Sequence, residues 1–245
     1  MRAPDAEWLM KTPVAHRGLH DEEYPENSMP AFVAAANSGF AVELDLHMSS
    51  DGRLVVFHDA DLNRMTGQEG SVADVHSAAL TQLRLSGTEY AIPLIEDVLE
   101  AVDGKAPILA EIKSGSPMTR VGPVLRTLIA GYGGALAVQS FDPRVLLWFK
   151  KHAPHVVRGQ ISGSFEGEQR FPAEKLLLRS MLFNVLSRPD FLAFDVRAMP
   201  SASVSAWRTI LGMPLLLWTI RTPEELVEAR KYGANVIFEA LDPTA

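Results

Sequence analysis

Short apolar runs alternate with helical patterns along the whole chain, and this alternation limits the available folds more than any other feature. Eight runs read as strands, at residues 12–16, 41–47, 107–112, 135–140, 156–161, 191–196, 214–219 and 235–239. Several are almost continuously apolar, as parallel strands are when helices cover both faces. Ser28 can cap a helix that runs to Asn37 and closes at Gly39. Another helix, over 94–102, follows Pro93. Asp142 can cap one with Pro143 at its first position, and Thr222-Pro223-Glu224-Glu225 opens one that Gly233 ends. Further helical segments lie at 118–129, 174–186 and 203–211. Eight strands, each followed by a helix or by the chain end, close most simply as a single (β/α)8 TIM barrel. With no internal repeat or linker, residues 1–245 read as one domain.

Composition narrows the function. A 47% apolar content over 245 residues suffices for one large core. The net charge of -7, without a run of five or six like charges, argues against a nucleic-acid surface. The absence of cysteine excludes disulfides and thiolate metal sites. No apolar stretch is long enough for a spanning helix, so no stable membrane insertion is expected. Residues 1–11 carry Asp5 and Glu7 and lack the apolar core of a signal peptide, which makes a soluble cytoplasmic protein the expectation. The sequence carries no signal for or against self-association.

A hairpin is expected directly after the second strand. Asp51-Gly52 lies between two apolar runs, and 54–57 reads as the return arm. A two-residue turn centred on Asp51-Gly52 would place Asp45 opposite His58, thirteen residues on. A parallel crossover needs more chain than this. The following stretch, 59–92, is long for a connection and carries a possible helix at 72–85.

Polar residues cluster at the predicted strand ends. Glu43 and Asp45 are two apart, so both side chains leave one face of the strand. Two carboxylates aimed into a barrel repel each other unless a positive charge lies between them. A lysine or arginine can supply that charge, and so can a bound cation. Glu111 ends another buried strand, and Lys113 is its i+2 neighbour. Three carboxylates without cysteine suit a hard divalent cation, Mg2+ or Ca2+. Zinc is the less favoured choice, with His16 and His58 as further ligands. Arg17 can grip a phosphate through two parallel hydrogen bonds, and Gly18 lets the chain turn after His16. Two histidines can serve as base and acid near neutral pH. Trp218 and Phe141, each at a strand end, could wall a ligand pocket. Taken singly, each of these residues is as well explained by packing or by a rim ion pair. No P-loop or dinucleotide-binding glycine fingerprint is present.

In order, these motifs resemble the glycerophosphodiester phosphodiesterase family. They include His16-Arg17-Gly18, Pro25-Glu26-Asn27-Ser28, Glu43-Leu44-Asp45, Asp51-Gly52, His58-Asp59 and Leu62-Asn63-Arg64-Met65-Thr66-Gly67. Ile92-Pro93-Leu94, Glu111-Ile112-Lys113, Ser140-Phe141 and Trp218-Thr219-Ile220 continue the match. The resemblance implies a metal-dependent TIM barrel that hydrolyses small glycerophosphodiesters to an alcohol and glycerol 3-phosphate. It implies Glu43, Asp45 and Glu111 as metal ligands and His16 and His58 as the acid–base pair. Arg17 and Lys113 correspond to phosphate ligands, and Trp218 to a substrate wall. It also suggests a cyclic phosphate intermediate, with direct attack by water as the other route.

Two positions depart from the pattern. Arg221 stands where the family often has Asn, and Phe238-Glu239-Ala240 stands where it often has Thr-Asp. Both bear on the released alcohol more than on the reaction. A lysophospholipase D-like activity is the nearest alternative. A non-catalytic phosphodiester-binding barrel is the alternative from another class.

Overall fold

A computed structural model describes residues 6–165 and 172–244. The first five residues of the N-terminal segment therefore lie outside the described residues. The fold is a (β/α)8 barrel with one added antiparallel arm. The strands are β1 (Val14–Ala15), β2 (Ala41–Met48), β3 (Leu54–Val56), β4 (Ile108–Ile112), β5 (Leu136–Ser140), β6 (Val157–Ser162), β7 (Phe191–Asp195), β8 (Leu215–Ile220) and β9 (Asn235–Phe238). All eight expected barrel strands are present, and β3 is the hairpin arm. Two compact units are distinguishable. One spans Val14–Leu136, and the other joins the chain up to Pro13 with the chain from Ala137 onward.

In the first unit, β2 pairs in parallel with β1 and β4. Val42, Leu44 and Leu46 of β2 are buried among apolar neighbours, while Glu43 and Asp45 leave the opposite side and are buried as well. The β2–β4 register sets Asp45 directly beside Glu111. The connection after the hairpin is not a bare loop. Phe57, Leu62, Met65, Val72, Leu80, Leu85 and Ile92 pack with Val55 as a core of their own. Burying those side chains is what lets so long a connection hold one conformation.

The hairpin register corrects one expectation. Pairing runs Leu46↔Val56, His47↔Val55 and Met48↔Leu54, and the Phe57 amide donates to the Asp45 carbonyl at 3.0 Å. Asp45 therefore lies opposite Phe57, not His58. The turn is longer than two residues. Ser49 and Arg53 still bond, Ser49 N–H to Arg53 O at 2.9 Å, and Gly52 adopts φ +87° inside the loop they close. A glycine in the left-handed region suits such a three-residue loop. The extra loop residue shifts the register by one.

In the second unit, β5 to β9 pair in parallel in chain order. Local rules hold well there. Thr222 and Glu225 form a reciprocal capping box on the helix Pro223–Lys231, and Asp142 caps Pro143–His152. Gly159 permits close packing, since a Cβ at that position would meet the Phe191 ring at 2.1 Å. The expected helix over 174–186 is two pieces, Pro172–Ser180 and Asn184–Ser187, separated by Met181 at φ +53°.

Candidate active site

The acidic centre is assembled from adjacent strands. Glu43, Asp45 and Glu111 each bring a carboxylate oxygen to within 4.8 Å of the others. Two cations answer them. The Lys113 ammonium lies 2.5 Å from Asp45 Oδ1 and 2.8 Å from Glu111 Oε1. Arg17 Nε lies 3.4 Å from Asp45 Oδ2, and the Arg17 amide donates to Glu43 Oε2 at 2.9 Å.

That amide is aimed by the backbone. Arg17 and Gly18 adopt φ of +57° and +82°. At Gly18 a Cβ would lie 2.7 Å from the Ala31 carbonyl carbon, so both the conformation and the space demand glycine. His16 sits half-buried at the end of β1, directly before this turn.

Three carboxylates share two cations, and the imbalance falls on the acids. Burial, then the charges of Asp45 and Glu111, push the Glu43 carboxyl well above the usual range. Burial and Asp45 also raise Glu111, against the pull of Lys113. Burial opposes ionisation of Asp45 too, but Lys113, His58 and Arg17 hold its carboxyl far below normal. Glu43 Oε1 is buried with no hydrogen-bond partner. A carboxyl oxygen in that condition wants a cation. An all-oxygen donor set of three carboxylates against two basic side chains fits a hard divalent cation. The cluster contains no histidine, and three carboxylates are the donors that a hard cation takes.

His58 reaches this region by leaving the hairpin, not by pairing with Asp45. The ladder ends after Phe57, and the His58 carbonyl faces His47 Nε2 at 3.1 Å. His58 Nδ1 is 2.6 Å from Asp59 Oδ1. Burial is the main cause that pushes the His58 imidazole below its ordinary value. A neutral ring whose Nδ1–H is donated to Asp59 presents a bare Nε2. A cavity of about 560 Å3 is lined by His58, Asp59, Ala60, Asp61, Asn63, Arg64 and Lys113.

Asn27 was missed as a site residue. Its Nδ2 donates to Asp45 Oδ2 at 2.8 Å, and its Oδ1 accepts from the Asp45 amide at 3.3 Å. It is buried and adopts φ +56°. Two signals were available: Asn27 lies in the motif Pro25-Glu26-Asn27-Ser28, and Asn tolerates the left-handed region better than most residues. Glu26, Asp59 and Arg64 also join the site, through ion pairs described below.

The two aromatic candidates lie in the other unit. Phe141 packs edge-to-face with Trp218 at 5.7 Å and with Phe165 at 6.0 Å between ring centroids. The Trp218 indole N–H is buried without a hydrogen-bond partner. The two departures noted above meet each other, with Arg221 3.0 Å from Glu239.

Residues 16–239 match the description "Glycerophosphoryl diester phosphodiesterase family". The chain belongs to that family. A glycerophosphodiester phosphodiesterase of Caldanaerobacter subterraneus subsp. tengcongensis is 35% identical over 93% of this chain and 93% of its own. One from Bacillus altitudinis is 34% identical over 58% of this chain. The match spans 62% of that protein's length, and 37% of the length of the Bacillus subtilis protein YqiK. Among solved structures, an Oleispira antarctica phosphodiesterase in complex with sn-glycerol-3-phosphate aligns with a TM-score of 0.79 at 21% identity, covering 96% of this chain and 94% of that one. The glycerophosphodiester phosphodiesterase of Thermotoga maritima aligns at 0.71 with 28% identity, covering 93% of this chain and 94% of its own. Among the described residues no helix is long and apolar enough to cross a membrane.

Proposed function

We propose that the protein is a metal-dependent glycerophosphodiester phosphodiesterase, releasing an alcohol and glycerol 3-phosphate. The observation that carries this reading is the convergence of three carboxylates with Arg17 and Lys113, in a unit that also holds His58 over a polar cavity. Family membership and the names of the relatives point the same way.

Glu43, Asp45 and Glu111 would hold Mg2+ or Ca2+. Bound there, the cation would supply Lewis acidity toward a phosphate oxygen and offset negative charge. Arg17 and Lys113 bind and orient the phosphate. Arg17 offers a planar fork and Lys113 a point charge. His58, held through Nδ1 by Asp59, takes the nucleophile's proton on Nε2. His16 protonates the departing alkoxide. Water enters the balance once, as its elements are divided between the alcohol and glycerol 3-phosphate. Each histidine would contribute roughly 10²–10⁴-fold.

A related reading is hydrolysis of lysophospholipids, since one relative is named Lysophospholipase D GDPD1 and is 35% identical over 41% of this chain. The lining of the cavity beside His58 favours the water-soluble diester. Apart from Ala60, every residue named there is polar or charged. The test is release of glycerol 3-phosphate from glycerophosphocholine with Mg2+, Ca2+ or EDTA. Turnover should require the cation and fall at least 100-fold in His16→Ala and His58→Ala. Activity in EDTA equal to that with cation, or full activity in both variants, would sink the reading.

A further inference from the structure

One guanidinium joins two arms of the site. Arg64 Nε donates to Asp59 Oδ2 at 2.5 Å. Its Nη2 and Nη1 donate to the two oxygens of Glu26 at 2.6 and 3.0 Å. Asp59 uses its other oxygen for His58 Nδ1, and Glu26 Oε1 also accepts from Arg17 Nη1 at 2.8 Å. The result is a continuous run, His58–Asp59–Arg64–Glu26–Arg17, in which each carboxylate is shared by two partners. Its far end reaches Asp45 through Arg17.

We propose that Arg64 is a positioning residue that fixes the His58 ring and the Arg17 guanidinium to one support, through Asp59 and Glu26. The roles of His58 and Arg17 rest on the function proposed above. Arg64 also lines the cavity beside His58, but its donors are directed at the two acids. Arg64 spends its Nε and both terminal nitrogens on the two acids, and Nη1 also lies 3.1 Å from the Met65 sulfur. Its fork is what makes the junction possible. A lysine ammonium can meet two carboxylates, as Lys113 does, but it lacks the planar fork that engages Asp59 on one side and both oxygens of Glu26 on the other. Without Arg64, Asp59 keeps only the imidazole and can swing toward solvent. Glu26 keeps only Arg17. Proton transfer and phosphate binding should then weaken together, although Arg64 donates to Asp59 and Glu26 and not to Glu43, Asp45 or Glu111.

The test compares Arg64→Gln and Arg64→Lys with wild type in steady-state hydrolysis of glycerophosphocholine with Mg2+. Arg64→Gln should lower kcat and raise KM, with kcat/KM falling about 10–100-fold, as expected for loss of a supporting contact. Arg64→Lys should recover only part of the loss. Arg64→Gln combined with Asp59→Asn should cost no more in kcat than Asp59→Asn alone. Combined with Glu26→Gln it should cost no more in KM than Glu26→Gln alone. Arg53→Gln is the control. Its side chain is 47% exposed, as is that of Arg64, and it pairs with Glu96 away from this run. Both constants should be unchanged there. Independently of turnover, the 15N resonances of the His58 imidazole, assigned by their loss in His58→Ala, should shift in the Arg64 variants without added metal. Unchanged resonances in a folded Arg64→Gln or Arg64→Lys would overturn the proposal, as would a change in KM alone. Wild type that hydrolyses no glycerophosphodiester would overturn the function, while the imidazole spectra would still decide the positioning role.

Discussion

The Lys113 ammonium stands 2.5 Å from Asp45 and 2.8 Å from Glu111, bridging carboxylates that the β2–β4 register sets side by side. Burial alone would discharge this lysine, but the two acids outweigh it and keep it ammonium. Removing one partner of a buried pair leaves the others uncompensated. Lys113→Met should therefore cost about 3–5 kcal/mol of stability in EDTA. Added Mg2+ should return part of it by taking over the same negative charge. Urea unfolding with and without the cation checks both. Unchanged stability in EDTA would mean the bridge carries no net energy.

Glu43 should behave in the opposite sense. Burial and its acidic neighbours raise its pKa, so the folded state holds a proton that the unfolded chain releases. Such a group contributes stability below the unfolded value near 4.5 and loses it as pH rises through the folded one. Glu43→Gln should match wild type near pH 4 and exceed it, by about 1 kcal/mol, at higher pH without metal. It should also lose the stabilisation that Mg2+ gives wild type. Thermal unfolding across pH, with EDTA or Mg2+, measures both effects.

Asn27 combines a buried hydrogen-bonded amide with a left-handed backbone. Asn27→Ala should cost about 2–3 kcal/mol, from the unpaired Asp45 groups and the backbone strain together. Asn27→Gly removes the strain but not the lost bonds, so its urea midpoint should fall between alanine and wild type. A glycine variant no better than alanine would assign the whole effect to the amide.

Burial lowers both His47 and His58. Their neutral forms are the ones the fold prefers. As pH falls below the unfolded value of 6.5, the unfolded chain takes up protons that the folded chain refuses. Stability should decline from that point until the folded values are passed. The decline should be shallower in His58→Gln and His47→Gln. Urea titrations from pH 8 to pH 5 test this, and equal slopes in all three proteins would refute it.

What could be read in the sequence follows the range of the forces involved. The cap at Asp142 and the capping box at Thr222 depend on neighbours a few residues away, and both were legible. Glu43 and Asp45 were legible as a pair because strand periodicity is local. The hairpin register was not, because it depends on how Ser49 and Arg53 close the loop around Gly52. The expected helix at 72–85 fails for a tertiary reason. Asp51 takes both the amide and the hydroxyl of Ser77, which starts the helix Ser77–Leu80 and leaves only a short turn at Val72–Asp74 before it. Arg64 and Glu26 are 38 residues apart, and no local spacing announces that pair.

His16, Arg17, Glu26, Asn27, Glu43, Asp45, His58, Asp59, Arg64, Glu111 and Lys113 all fall within Val14–Leu136, whereas Phe141 and Trp218 fall beyond it. These polar residues thus come from a single uninterrupted segment of the chain. A change confined to the chain beyond Leu136 therefore replaces none of these polar side chains, while it can replace both aromatic ones.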